Sequence, residues 1–146
     1  MTQPGFKPDS TLEIRSKNST GAGGPSVSSD RKYVLVPEYV NNKIQRHWLQ
    51  GPKKDTNEVY LSDCGSPKNI KRAANDGEFW VAVEKQVQLS PMLSEPHGLR
   101  VNGSATVVQT VPLPHFFNMA IDVVQESNDA LYVGSSDTGF VGVYTN

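Results

Sequence analysis

Tyr33–Trp48 reads YVLVPEYVNNKIQRHW, and further along Asn69–Val83 reads NIKRAANDGEFWVAV. In each, a polar turn precedes a short run of β-branched and aromatic residues, the composition of a strand. Within the second stretch Asn75-Asp76-Gly77 separates IKR from EFWVAV, and glycine accepts the positive φ that a tight hairpin turn demands. The same grammar recurs outward from these two stretches. Ser29-Asp-Arg-Lys precedes YVLV, Asn102-Gly-Ser precedes ATVVQTV, and Ser127-Asn-Asp precedes ALYVGS. Partner strands are expected at Lys43–Leu49, Glu58–Leu61, Leu99–Asn102 and Gly139–Tyr144. Long helical periodicity is missing, so the expected class is all-β.

The strongest strands also recur at a rough interval. Tyr33 to Phe79 is 46 residues and Phe79 to Leu131 is 52. Periods of about 40–50 residues, with about four strands each, are those of propeller blades. A β-sandwich of similar strand number fits the same pattern.

Composition narrows the function. The chain has 146 residues, enough for one ordinary domain. Its 14 basic and 15 acidic residues leave a net charge of −1, and the basic residues are scattered. That gives no electrostatic case for nucleic acid or an anionic membrane. No apolar run approaches the ~18 residues of a membrane span, and the first residues carry no apolar core of a secretory signal. Cys64 is the sole cysteine; it has no internal disulfide partner and no neighbouring histidine in sequence, and is read as a passive thiol. Asn18-Ser-Thr and Asn102-Gly-Ser have the form of glycosylation acceptors, which matters only on the secretory route. Residues 1–22, rich in Pro, Gly, Ser and Thr with one weak strand at Thr11–Arg15, read as an irregular lead-in to a folded unit over 23–146.

Between Gly23 and Asn146 a series of short pieces occurs in order: GGxxxSxDxxYVLVPEYxNxxIxRxWLxGPKxxTxEV, NIKRxxxGEFWVA, HGLRV, VPLP and VQExxxxLYVGS. Together they resemble the strictosidine synthase-like family of plant proteins. The resemblance implies a six-bladed β-propeller of which this chain is the C-terminal half, about three blades of four-stranded antiparallel sheet. An open half-propeller would leave blade flanks exposed, so self-association, or pairing with a missing N-terminal half, is expected, and the chain is read as a truncated or half-length product. The family also implies a vacuolar or other endomembrane location.

Strictosidine synthase joins tryptamine to the aldehyde secologanin through an iminium ion and closes a ring on the indole. The chemistry needs a carboxylate that takes protons from the ammonium and later from the ring carbon, in a water-poor pocket. By resemblance, the family's catalytic glutamate falls on Asp122 in this chain, and a histidine two residues earlier falls on Ala120. The family's Met-His pocket pair falls on Ser90 and Pro91. Tyr39 stands where the family has an aromatic residue beside the amine's ring, with the plainer alternative of an inward-facing strand aromatic. Ile121 is expected beside Asp122 as a substrate-binding position. Aspartate is one methylene shorter than glutamate, so the resemblance implies an amine–aldehyde condensation impaired both here and by truncation. A non-catalytic fragment that binds a small molecule or a protein is the alternative.

Related propellers that hydrolyse lactones and esters hold calcium with Asn, Asp and Glu. Their Asp-Asn pair falls on Lys68-Asn69 and a further Asn falls on Gly23. An ammonium in place of a carboxylate repels a hard cation, so no metal and no cofactor is expected. His97, before Gly98, reads as a turn residue. His115 reads as a loop residue, with a pairing to Asp122 as the alternative.

Overall fold

The computed structural model describes Gly5, Ser19 and residues 21–87 and 93–146. The strand expected at Thr11–Arg15, the Asn18 triplet and the pair Ser90 and Pro91 lie outside the described residues. Among the described residues, three antiparallel sheets follow one another along the chain. The first is β1 (Ser26–Val27), β2 (Tyr33–Glu38), β3 (Lys43–Trp48) and β4 (Asn57–Ser62). The second is β5 (Ser66–Arg72), β6 (Phe79–Val87), β7 (Leu93–Val101) and β8 (Val107–Pro112). The third is β9 (Val123–Ser127), β10 (Ala130–Gly134) and β11 (Gly142–Thr145). Helical structure among the described residues is a single 3-10 turn, Pro114–Phe116.

Each sheet is an up-and-down meander, with sequence neighbours hydrogen-bonded as spatial neighbours. A sandwich would pack two sheets face to face and exchange strands between them. Here three small sheets pack in series instead, and the fold is an all-β partial propeller of three blades. The sequence interval is that between second strands: Tyr33 opens β2, Phe79 opens β6 and Leu131 follows the first residue of β10. The third blade has three strands among the described residues, one fewer than expected.

The middle blade explains the uninterrupted FWVAV run. Phe79, Val81 and Val83, with Ile70 of β5, point toward blade 1, where they join Tyr33, Leu35, Ile44 and Tyr60 in one core. Trp80 and Ala82 point the other way, into a second core with Phe116, Ile121, Val124, Leu131 and Val133. A strand buried on both faces loses the apolar–polar alternation of a half-exposed one. Blade 3 keeps it: Leu131 and Val133 are buried, whereas Tyr132 and its cross-strand partner Val143 face away from the core and are exposed.

The Asn75–Gly77 hairpin forms as expected, with Gly77 at φ +77° and the Glu78 N–H donating to the Asn75 carbonyl at 3.2 Å. One histidine assignment is corrected. His97 lies inside β7, which begins at Leu93 and pairs with β6 along its whole length. Ser94-Glu-Pro-His-Gly is poor strand sequence, and pairing to a strong neighbour overrides that preference.

Candidate functional site

The first strands of the three blades, β1, β5 and β9, stand side by side, and the candidate site is built along them. The lead into β1 is Gly23-Gly24, and it runs hard against β5. Gly24 forms a parallel bridge to Asn69: its N–H donates to the Lys68 carbonyl at 3.1 Å, and its own carbonyl accepts from Ile70 N–H at 3.1 Å. A Cβ on Gly24 would stand 1.5 Å from Asn69 Oδ1, and one on Gly23 would stand 2.1 Å from the Lys68 carbonyl oxygen. The two glycines are therefore what allows blades 1 and 2 to meet here. An asparagine at Gly23, as in the calcium hydrolases, has no room.

Opposite them, β5 carries a bulge between Pro67 and Ile70. A bulge takes residues out of the ladder and re-aims their side chains. Here it releases Lys68 and Asn69 in different directions. Asn69 reaches blade 3, where Nδ2 donates to the Asp122 carbonyl at 2.8 Å. Gly24, Asn69 and Asp122 thus form a row across three blades.

Ala120–Asp122, the irregular approach to β9, is held from several sides. Ala120 N–H donates to Asp137 Oδ2 at 2.8 Å, and its carbonyl accepts from Ser135 Oγ. Ile121 N–H donates to Glu84 Oε1, on β6, at 2.9 Å. Asp122 N–H donates to the Gly134 carbonyl at 2.9 Å. The Asp122 carboxylate itself accepts from Ser136 N–H at 2.5 Å through Oδ2. Two of these anchors, Asn69 and Glu84, come from blade 2, so the position of residue 122 is fixed by the packing of two blades. The Ile121 side chain is fully buried in the core between those blades, and its share in the site is its backbone.

Tyr39 is not a strand residue. It follows β2 in the turn to β3, and 42% of it is exposed. Its ring lies over Gly21, its N–H donates to the Gly21 carbonyl at 3.1 Å, and its carbonyl accepts from Ser66 Oγ at 2.9 Å. Lys68 Nζ stands 4.8 Å from the ring centroid, within cation–π range. Blade 2 therefore supplies contacts to both Tyr39 and Asp122, through adjacent residues of one bulge.

The other sequence candidates fall elsewhere. His115 Nδ1 lies 3.4 Å from Tyr144 Oη and is not paired with Asp122. Cys64 is buried, and burial pushes its thiol up to about 11, as suits an inert side chain. The Asn102 carboxamide oxygen accepts from Ser104 and Thr106 N–H, both at 3.0 Å, and shapes the turn. Among the described residues no three His, Cys, Asp or Glu side chains gather as a metal site. A cleft of about 230 Å³ lined by Trp80, Arg100, Glu126 and Tyr144 opens at the far end of β9 and β10 and does not reach Asp122.

Sequence reasoning missed Lys68 as the neighbour of Tyr39, and Asn69 and Glu84 as anchors of Asp122. The adjacent glycines were the one sign of them, since Gly-Gly before a strand marks close backbone approach.

No family model matches the chain. Curated relatives do. The chain is 34% identical over 125 residues to strictosidine synthase-like 12 of Arabidopsis thaliana, covering 85% of this chain and 37% of that protein. Strictosidine synthase-like 11 of the same plant matches to the same extent. Strictosidine synthase of Catharanthus roseus is 34% identical over 125 residues, 83% of this chain and 34% of that protein. The chain thus spans a little over a third of the length of these relatives. Three serial blades, and ordered matches along most of the chain, lead to one conclusion: this chain belongs to the strictosidine synthase-like family.

Proposed function

We propose that this chain forms part of a small-molecule site of the strictosidine synthase type, in secondary metabolism of the alkaloid kind. Asp122 is its acid/base and Tyr39 its aromatic platform. The observation that carries this reading is the fixing of Asp122 where the first strands of three blades stand side by side, by side chains of a different blade. A proton-transfer group needs a held position more than an unusual environment.

The same fixing predicts a weak amine–aldehyde condensation. An aspartate carboxylate sits about 1.5 Å further back than a glutamate one, and a misplacement of about 1 Å can cost about 100-fold in rate. A mobile backbone could recover that distance. This one is tied through Ala120, Ile121 and Asp122 to five partners, so the shortfall persists. The test is incubation with tryptamine and secologanin, beside an Asp122→Glu variant. Product formed faster by the variant supports the reading, and no product from either refutes it.

A second reading, a binding fragment without catalysis, draws on Asp122 Oδ2 being engaged by Ser136 N–H. It predicts ligand binding that Asp122→Asn leaves unchanged. A calcium-dependent lactonase reading has no observation in its favour. The outward Tyr132 and Val143, with exposed Phe140 and Val141, suit a further blade or a second copy packing on blade 3. A monodisperse monomer in size-exclusion chromatography would count against self-association. An endomembrane or vacuolar location is part of the proposal, tested by imaging a tagged chain.

A further inference from the structure

The Tyr39 platform already carries a cation. Lys68 is not a stray surface lysine. Its carbonyl accepts the Gly24 N–H at 3.1 Å and lies where any Cβ on Gly23 would collide with it, so its main chain is clamped between blades 1 and 2. The β5 bulge lifts it out of the ladder and directs its ammonium to 4.8 Å from the Tyr39 ring centroid. Tyr39 is tied to the same strand by the 2.9 Å bond from Ser66 Oγ, so ring and ammonium are placed by one element. The nearest carboxylate in sequence to Tyr39, Glu38, is buried and lies 3.3 Å from Lys43 Nζ, which directs it to another cation.

We infer that Lys68 is a specificity-determining residue, selecting against ammonium-bearing aromatic ligands at Tyr39 and for flat ligands with a carboxylate or another electron-rich oxygen. The inference rests on the proposed role of Tyr39 as a ligand platform, and it makes weak binding of the amine a second cause, beside the short Asp122 carboxylate, of the slow condensation proposed above. A cationic arylethylamine stacked on this ring must either displace Lys68, losing the cation–π contact, or hold two positive charges a few ångströms apart. An arylalkanoic acid of the same shape keeps the ring contact and gains an opposite charge. In a partly solvated site, a like-to-opposite change of charge at such a separation is worth at least about tenfold in affinity.

The experiment is equilibrium binding by calorimetry of two probes of matched shape, tryptamine and indole-3-propionate. The proteins are the unaltered chain, Lys68→Met, Lys68→Gln and Tyr39→Ala, each first checked for its circular dichroism and melting transition. The expected result is at least tenfold tighter binding of the acid to the unaltered chain. Both Lys68 variants lose that preference, and Tyr39→Ala weakens both probes. Equal or tighter binding of tryptamine that still depends on Tyr39 overturns the role of Lys68 and leaves the platform standing. Binding of neither probe, or binding that Tyr39→Ala does not change, overturns the platform itself and the inference with it.

Discussion

Substituting Gly24 by alanine tests the row that joins the three blades. The new Cβ would stand 1.5 Å from Asn69 Oδ1 and 2.6 Å from its Cγ, so the carboxamide must swing away. Swinging gives up the 2.8 Å bond to the Asp122 carbonyl. Overpacking costs about 1–3 kcal/mol, and a part-buried carbonyl left without its donor costs about 1–3 kcal/mol. Allowing for relaxation, Gly24→Ala should lose about 2–4 kcal/mol. Asn69→Ala alone loses the hydrogen bond without a clash, about 1–3 kcal/mol. The double variant is the informative protein. With the carboxamide gone, the Cβ at position 24 has space, and the pair should be little worse than Asn69→Ala, a coupling close to the whole cost of Gly24→Ala, about 2–4 kcal/mol. Urea unfolding followed by Trp48 and Trp80 fluorescence would measure all four corners of the cycle. Strict additivity would refute the proposed contact, and with it the claim that Gly23-Gly24 is there to let blade 1 touch blade 2.

Other consequences can be checked on the same protein. Arg46 lies 4.7–5.3 Å from the ring centroids of Tyr33, Trp48 and Tyr60, reaches Glu58 through Nε at 2.8 Å, and donates to the Gly103 carbonyl of blade 2 at 3.1 Å. Arg46→Met should lower stability by about 1–3 kcal/mol, read as a lower urea midpoint; an unchanged midpoint would show the network to be idle. The Arg46 guanidinium holds the Glu58 carboxyl below its usual range against the opposing effect of burial, with Lys53 and Trp48 adding to it. A depressed folded pKa stabilises above the unfolded carboxylate range, and the effect is lost as pH falls through the folded value. The gap between unaltered and Arg46→Met protein should therefore narrow on acidification below that range, and a gap independent of pH would contradict the assignment. Because burial raises the Cys64 thiol to about 11, alkylation at pH 8 should be about 100-fold slower in the native chain than in urea. Equal rates would mean that Cys64 is open to solvent.

What could be read in advance follows from where the information lies. YVLVPE and FWVAV state their strands through residue type, and the interval between Tyr33, Phe79 and Leu131 states the repeat of blades. The choice of propeller over sandwich needed spatial pairing, because both folds use the same strands and turns. β7 was half hidden because Pro96, His97 and Gly98 are weak strand formers whose state is set by β6 beside them. Asp122 and Tyr39 emerged only through family resemblance. Lys68 and Asn69 were visible as residues but not as neighbours of Tyr39 and Asp122, since a single bulge decides where they point. Bulges depend on register between strands, which no local pattern encodes.

The proposed function stands or falls on residue 122. Its most direct test is product formation from tryptamine and secologanin by the chain with Asp, Glu or Asn at that position. Asp122→Glu is expected to be fastest, the unaltered chain slower, and Asp122→Asn inactive. Equal rates for all three, or no product from any, would contradict the acid/base role.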